Sequence, residues 1–315
     1  MNSAAAAVGP GAVPCPLCRS QASSPVGERQ DGVAFRQCDS CGLAFAEDAP
    51  STERAAEFYQ GDYFGSGDGA GSCRGYQDYL EAQRLAEDPS RLEMCLLRRH
   101  GGRLAGKRAL EIGCASGTLL ALLAAEGCRV AGVELNPAMA RRAQERLNAP
   151  VYERPVETGL PVEEESIDLL LACSVLEHSA DPRRFLDELE RTAAPGALLL
   201  LVTPDWDAAQ TEGEGWTGWH GQWDHLCYFS LTTLDRALAG RGFHAVEQGY
   251  GGPPAGLEQL RRASGSKDAR KALKRVPVLG PSLVRLKRRL FPVRLGGPGS
   301  GRADLIALYR KQPVS

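Results

Sequence analysis

The stretch that most constrains this chain of 315 residues is Ala109-Leu110-Glu111-Ile112-Gly113-Cys114-Ala115-Ser116-Gly117, with the apolar run Thr118 to Ala125 behind it. An apolar strand carrying an acid near its end enters a glycine loop and then a helix. That is the pattern of a cofactor-binding strand-to-helix turn in a doubly wound α/β sheet. Gly113 and Gly117 supply backbone conformations and a close approach that a Cβ would obstruct. A second strand, Arg129-Val130-Ala131-Gly132-Val133, ends in Glu134, 21 residues beyond Gly113. An acid at that distance can accept hydrogen bonds from both hydroxyls of a ribose. The plain alternative is an ordinary turn whose glycines are only structural.

The alternation of strand and helix patterns continues downstream. Val151-Tyr152-Glu153 reads as a short third strand, and Ser166 to Cys173 as a central parallel strand buried on both faces. Ser174-Val175-Leu176-Glu177-His178 follows its carboxyl end. Asp181 as N-cap and Pro182 at the first position then open a helix over Arg183 to Thr192. Pro195-Gly196 is expected to turn the chain into a fifth strand, Ala197 to Thr203. Phe243 to Gly249 and Ala303 to Tyr309 read as the sixth and seventh. The polar residues of interest all follow the carboxyl ends of strands, where open α/β sheets bind ligands.

Ahead of this core stand Cys15-Pro16-Leu17-Cys18 and Cys38-Asp39-Ser40-Cys41-Gly42, a C-x2-C-x19-C-x2-C arrangement. Two cysteines separated by two residues on a tight turn can point at one ion, and two such knuckles complete a tetrahedral thiolate shell. The spacing predicts a structural zinc ribbon over residues 14–48 with Cys15, Cys18, Cys38 and Cys41 as ligands. A saturated four-thiolate site has no open position for water, so such a zinc holds structure. No βαβ pattern surrounds either pair, which disfavours a redox C-x-x-C.

The glycine loop departs from a dinucleotide fingerprint: its glycines fall at positions one and five, and Glu111 just upstream would repel a phosphate but suits the ammonium end of a methionine. Glu111-x-Gly113-x-x-x-Gly117 with Glu134 ending the next strand resembles motifs I and II of class I S-adenosylmethionine (SAM) methyltransferases. Asp168 to Pro182, with its Leu176-Glu177-His178, and Ala194-Pro195-Gly196-Ala197 resemble a broad bacterial family of these enzymes. The resemblance implies a seven-stranded Rossmann-like sheet over residues 101–250 and 301–315. It also implies a SAM site built from Glu111, Gly113, Cys114, Gly117, Glu134 and Leu135, with Val156 and Glu157 at the adenine and Cys173 and His178 on the pocket floor.

Methyl transfer to a hydroxyl or a carbon acid needs an aligned acceptor and a group that removes its proton. Trp223-Asp224-His225-Leu226-Cys227-Tyr228-Phe229-Ser230 is similar to the segment carrying the proposed catalytic histidine in zinc-ribbon sugar C-methyltransferases, where the pattern runs Tyr-Glu-His-x-x-Tyr-Phe-Ser. By that resemblance His225 is the first candidate base, Asp224 takes the place of the acid, and Trp223 replaces a tyrosine. His220 is a second candidate and His178 a third. The plain reading of His225 is a structural histidine at the start of the helix Leu231 to Gly240, which Ser230 caps. The 315 residues leave no room for the large C-terminal domain of those sugar enzymes, so methylation at carbon of a keto sugar is not the firm expectation. Phe58 to Tyr79, rich in aromatics and glycine, resembles the linker that closes over SAM in zinc-ribbon methyltransferases. Residues 49–100 therefore read as linker and lid, with an amphipathic helix over 80–100 broken near Pro89.

Residues 1–13, rich in Ala, Gly and Pro, are expected to be disordered. No basic n-region or apolar run marks a signal peptide, and with thiols spaced as metal ligands the expectation is a reduced, cytoplasmic protein. Residues 251–300 form a basic insert: Arg261 to Arg294 hold twelve Lys/Arg and one acid, Asp268. It reads three ways: as a solvated helical insert, as a contact with an anionic membrane surface, or as a nucleic-acid contact. The leading expectation is a SAM-dependent methyltransferase for a sugar, glycan precursor or other small metabolite. The alternatives are an RNA methyltransferase, since zinc-ribbon rRNA guanine methyltransferases share the opening Cys-Pro-Leu-Cys, and a non-catalytic SAM- and zinc-binding interaction module. Against RNA stand the C-x-x-C-G second knuckle and the lack of Asn/Asp-Pro-Pro-Tyr after the fourth core strand.

Overall fold

The computed structural model describes residues 13–29, 31–61, 89, 91–213, 216, 224–251 and 304–313. Most of the expected lid, His220 and the basic insert lie outside the described residues. Three strands open the chain, β1 (Ser23–Glu28), β2 (Ala34–Cys38) and β3 (Ala44–Ala46), followed by helix α1 (Thr52–Gly61). Helix α2 (Leu92–Gly101) begins just after Pro89, where the sequence places a break, and buries Met94, Leu96 and Leu97. The α/β core then runs β4 (Arg108–Ile112), α3 (Thr118–Ala125), β5 (Arg129–Val133), α4 (Pro137–Leu147) and β6 (Val151–Tyr152). It continues through β7 (Ile167–Cys173), α5 (Pro182–Thr192), β8 (Ala193–Pro204) and α6 (Trp206–Glu212). Strand β9 (Cys227–Tyr228), helix α7 (Leu231–Ala239) and strands β10 (Phe243–Gly251) and β11 (Asp304–Lys311) complete it.

The core sheet has seven strands in the order β10-β11-β8-β7-β4-β5-β6. β4, β5, β6, β7 and β8 are parallel, and β11 is inserted antiparallel between β8 and β10. Chain direction around the sheet reverses at β4, which pairs with β5 on one side and β7 on the other. The crevice at that switch point is where such sheets accept ligands. Leu169, Leu170 and Leu171 of β7 and Leu199 and Leu200 of β8 are fully buried, as expected of strands covered on both faces.

The helix starts follow the local chemistry of the sequence. The Asp181 carboxylate accepts from Arg184 N, with Pro182 at the first position, and the Ser230 hydroxyl accepts from Thr233 N. One expectation changes form. Pro195-Gly196 belongs to strand β8 rather than to a turn ahead of it, because β8 already pairs at Ala193. Residues 194–197 bulge out between the Ile167–Ala193 and Leu169–Leu198 pairs, and Gly196 supplies φ +79°. Val13, expected in the disordered tail, packs against the core.

The four-stranded sheet β1-β2-β3-β9 is completed by the core's own β9, paired antiparallel to β3 through Ala44–Tyr228 and Phe45–Cys227. Phe35, Ala44, Trp206, Trp216 and Tyr228 form a shared apolar cluster across this joint. Among the described residues no helix is long and apolar enough to cross a membrane. Leu170→Ala removes a fully buried side chain from the central strand. It should lower stability by about 2–5 kcal/mol in denaturant unfolding, with an unchanged m-value.

Candidate SAM cleft and imidazole cluster

The glycine loop takes its shape from one carbonyl. Val133 O at the end of β5 accepts from Gly113 N at 2.8 Å and from Cys114 N at 3.0 Å. Gly113 has φ +69°, and a Cβ there would collide with Val175 Cγ2. Gly117, at φ +74°, caps helix α3 and lies against Leu147 Cδ1, 2.9 Å from where its Cβ would be. Ala115 adopts the left-handed region as well, at φ +48°. The Glu134 carboxylate closes the turn, with Oε2 accepting from Ala115 N at 2.9 Å and Oε1 from Asn136 N at 2.8 Å. Burial raises the pKa of Glu134, and these amides oppose the rise.

A cleft of about 460 Å³ opens above this loop. Its wall includes Glu111, Gly113, Cys114, Glu134 and Leu135, together with Val156, Glu157, Cys173 and His178, so nine of the sequence candidates converge there. Gly117 lies beneath the loop rather than on the wall. Glu111 is the informative member: its Oε2 is buried with no hydrogen-bond partner among the described residues, and burial pushes its pKa up to about 8. A buried carboxyl oxygen without a partner fits an incoming cation. Arg91, which the sequence reading did not single out, stands on the same wall and grips Glu93 with two bonds of 2.8 Å. Its only sequence signal is a base at the mouth of the helix that precedes β4. At the other end the Ser179 hydroxyl donates to Glu157 Oε1 at 2.6 Å. Helix α1 contributes Thr52, Ala55 and Tyr59 to the cleft wall, and Asn136 Nδ2 donates to Tyr59 O at 3.0 Å.

Against the Tyr59 end of the cleft stands a compact cluster of imidazoles and acids. His178 follows β7 in a single 3₁₀ turn, Leu176–His178, and its ring lines the cleft. Its Nδ1 lies 3.1 Å from Asp224 O and 3.3 Å from Asp224 Oδ2. Both are acceptors, so Nδ1 carries the proton, and Nε2 lies 4.0 Å from Glu177 Oε1. The Tyr59 hydroxyl donates to the same Asp224 Oδ2 at 3.3 Å. His225 sits behind His178, with ring centroids 4.8 Å apart and edge to face. It is 5% exposed, and among the described residues it does not line the cleft and its buried Nδ1 has no partner. Burial first, then His178 and Arg29, hold its pKa well below the usual histidine value. Glu177 is buried with its Oε2 accepting from the Thr203 hydroxyl at 3.0 Å, and burial pushes its pKa up to about 7. His220 lies outside the described residues.

The four cysteines of the N-terminal knuckles meet as their spacing predicts. Cys15 Sγ and Cys41 Sγ are 3.6 Å apart, Cys18 Sγ and Cys38 Sγ 3.5 Å, and all four sulfurs lie within 4.8 Å of one another. A tetrahedral zinc with Zn–S bonds of about 2.3 Å needs sulfurs about 3.8 Å apart, so the donor set fits.

The reversed strand β11, the glycine turn after β4 and the two strand-end acids define the fold and site of the class I SAM-dependent methyltransferases. The chain belongs to the methyltransferase-domain family, whose model matches residues 82–248, more than half of it. Among curated proteins it is 40% identical over 111 residues to an uncharacterized 37.1 kDa protein in transposon TN4556 of Streptomyces fradiae, covering 33% of this chain and 32% of that one. It is 30% identical over 105 residues to the ubiquinone biosynthesis O-methyltransferase of Hahella chejuensis, covering 32% and 44%. To the norajmaline N-methyltransferase of Rauvolfia serpentina it is 28% identical over 145 residues, covering 44% and 45%. The matches thus span less than half the length of these relatives. The fold is shared with magnesium protoporphyrin IX methyltransferase from Synechocystis PCC 6803, with TM-score 0.50 and 13% identity over 82% of this chain and 99% of that one.

The Glu111 carboxyl gives the cleft a pH signature. Below about 8 it holds a proton; were the ammonium end of SAM to meet it, as the sequence leads one to expect, binding would displace that proton. SAM affinity should therefore rise with pH between 6 and 8 and flatten above that. Glu111→Gln should weaken binding and abolish the slope, as read by calorimetry in buffers of different ionisation enthalpy.

Proposed function

We propose that this chain transfers the methyl group of SAM to a hydroxyl or an acidic carbon of a small-molecule acceptor, a sugar or glycan precursor being the leading class. The observation that carries the reading is the His178 ring on the cleft wall with its Nδ1 against Asp224, which leaves Nε2 as the base. SAM supplies the electrophilic methyl, and the chain's own part is to hold the donor, orient the acceptor and take its proton. Glu111 receives the ammonium of SAM, Arg91 faces its carboxylate, and Glu134 accepts from the ribose hydroxyls. Val156 and Glu157 flank the adenine. Asp224 holds the His178 tautomer and balances the imidazolium that proton removal creates. His225, the first candidate from sequence, packs behind His178 in this reading and keeps its ring upright as a neutral partner. The names of two relatives, for ubiquinone biosynthesis and for norajmaline, favour a small acceptor. We propose further that zinc fills the four-cysteine cluster and holds the ribbon against the core.

His178→Asn should leave SAM affinity within a few-fold and lower turnover roughly 10²-fold or more. Turnover is read as labelled methyl passing from SAM into fractionated host lysate, with RNA, solvent-extracted lipid and small-metabolite pools counted separately. Label that ribonuclease releases would replace this reading with RNA methylation. Retained turnover in His178→Asn, with loss in His225→Ala, would return the base to His225. For the ribbon, Cys38→Ser should cut the bound zinc below one per chain by elemental analysis and lower the melting temperature. SAM affinity measured below that temperature should change little.

A further inference from the structure

Arg29 closes the first ribbon strand, and its side chain is only 3% exposed. Three of its nitrogens have defined partners. Nε and Nη2 donate to the two oxygens of Asp31 at 2.9 and 2.8 Å, a planar fork that neutralises the buried charge. The guanidinium carbon stands 5.2 Å from the centroid of the Phe35 ring. Nη1 then donates at 2.7 Å to the backbone carbonyl of His225, which lies 196 residues further along the chain. The bond is buried, charge-assisted and short, and it reaches the residue directly after Asp224.

The segment around that carbonyl is held from two sides. From the ribbon, Arg29 holds His225 O, Ala46 N donates to Leu226 O at 2.9 Å, and β3 pairs with β9. From the core, Leu226 N donates to Glu177 O at 2.7 Å. His178, the neighbour of Glu177, in turn donates to Asp224. The distance between the His178 ring and its orienting acid is thus set by a strip of backbone clamped between the ribbon and the loop after β7. Arg29 is the clamp closest to Asp224 on the ribbon side.

We propose that Arg29 is a positioning residue for the methyl-transfer base: by fixing the His225 peptide it holds Asp224 against His178 Nδ1, which makes the ribbon a structural half of the catalytic apparatus. This rests on the reading of His178 as the base. A lysine would keep the charge but present one compact ammonium, with three rotating donors, in place of the planar fork, so the fork geometry is itself part of the claim. The role is distinct from tethering. Loss of Arg29 changes which nitrogen of His178 carries the proton, while the thiolate cluster and the SAM cleft stay assembled.

The test uses the full chain labelled with ¹⁵N-histidine, with long-range ¹H–¹⁵N spectra reporting the protonated nitrogen of His178 and calorimetry reporting SAM affinity. In the unaltered protein His178 should show Nδ1–H. In Arg29→Met the balance should move toward Nε2–H by roughly tenfold, the weight of one net hydrogen bond, with the SAM Kd within about threefold and zinc content unchanged. Arg29→Lys should fall between the two. A folded Arg29→Met protein whose His178 keeps the original tautomer would overturn the proposal, as would a Lys variant that behaves worse than Met. If Arg29→Met does not fold, Asp31→Asn loosens the fork and leaves the arginine in place: a shifted tautomer there supports the clamp, and an unshifted one sinks it. A failure of the base assignment shows elsewhere, as full turnover in His178→Asn, so the two ideas fall separately.

Discussion

The cleft depends on the single carbonyl of Val133. By accepting from both Gly113 N and Cys114 N it ties the loop after β4 to the end of β5, across the point where the sheet changes direction. The next residue, Glu134, is thereby placed to bond Ala115 N and Asn136 N, which stitches the start of α4 to the same loop. A side chain at Gly113 would run into Val175, in the loop that leads to His178, so the glycine loop and the loop carrying His178 share one steric boundary. The glycine is needed there for a close approach as much as for its positive φ.

A second constraint acts at right angles to the first. β9 is only two residues long, and it belongs to the small sheet rather than to the large one. So short a strand has little stability alone, and it holds its place because β3 pairs with it on one side and Leu226 N reaches Glu177 O on the other. The aromatic rings of Phe35, Trp206, Trp216 and Tyr228 pack across the joint, with Trp206 and Tyr228 stacked at 5.8 Å. The ribbon is therefore continuous with the core at the place where the imidazoles stand, and helix α1 carries it onward over the cleft.

Electrostatically the cleft and the imidazole cluster beside it hold acids kept out of water. Glu111, Glu134, Glu157 and Glu177 all have pKa values raised by burial. Each costs stability as pH rises from about 4.3, where the unfolded chain ionises such groups, up to its own raised pKa, which is about 8 at Glu111 and about 7 at Glu177. At Glu111 the buried Oε2 has no hydrogen-bond partner among the described residues, so a cationic ligand there would relieve that cost. The same logic runs in reverse at His225, where burial beside His178 and Arg29 favours the neutral ring. Of the two histidines, His178 is the one on the cleft wall with an acid at its back.

Much of this was written in the order of residues. The Glu111 to Gly117 turn, the acid at 134, the capped helices after Asp181 and Ser230 and the paired cysteines are local patterns, and local backbone chemistry dictates them wherever the chain goes. What local pattern cannot express is contact between distant segments. His225 outranks His178 in sequence because its neighbours resemble a known catalytic segment, yet exposure to the cleft depends on how the loops after β7 and before β9 stack. Arg91 and Arg29 carry no motif, and their importance comes from a helix mouth folded over β4 and from a strand end brought to residue 225. The sequence by itself determined the sheet, the donor loop and the thiolate cluster. Only tertiary packing decided that the ribbon finishes its sheet with a core strand, across nearly two hundred residues, and which imidazole meets the cleft, between loops 46 residues apart, because both follow from burial and hydrogen bonding between segments distant in the chain.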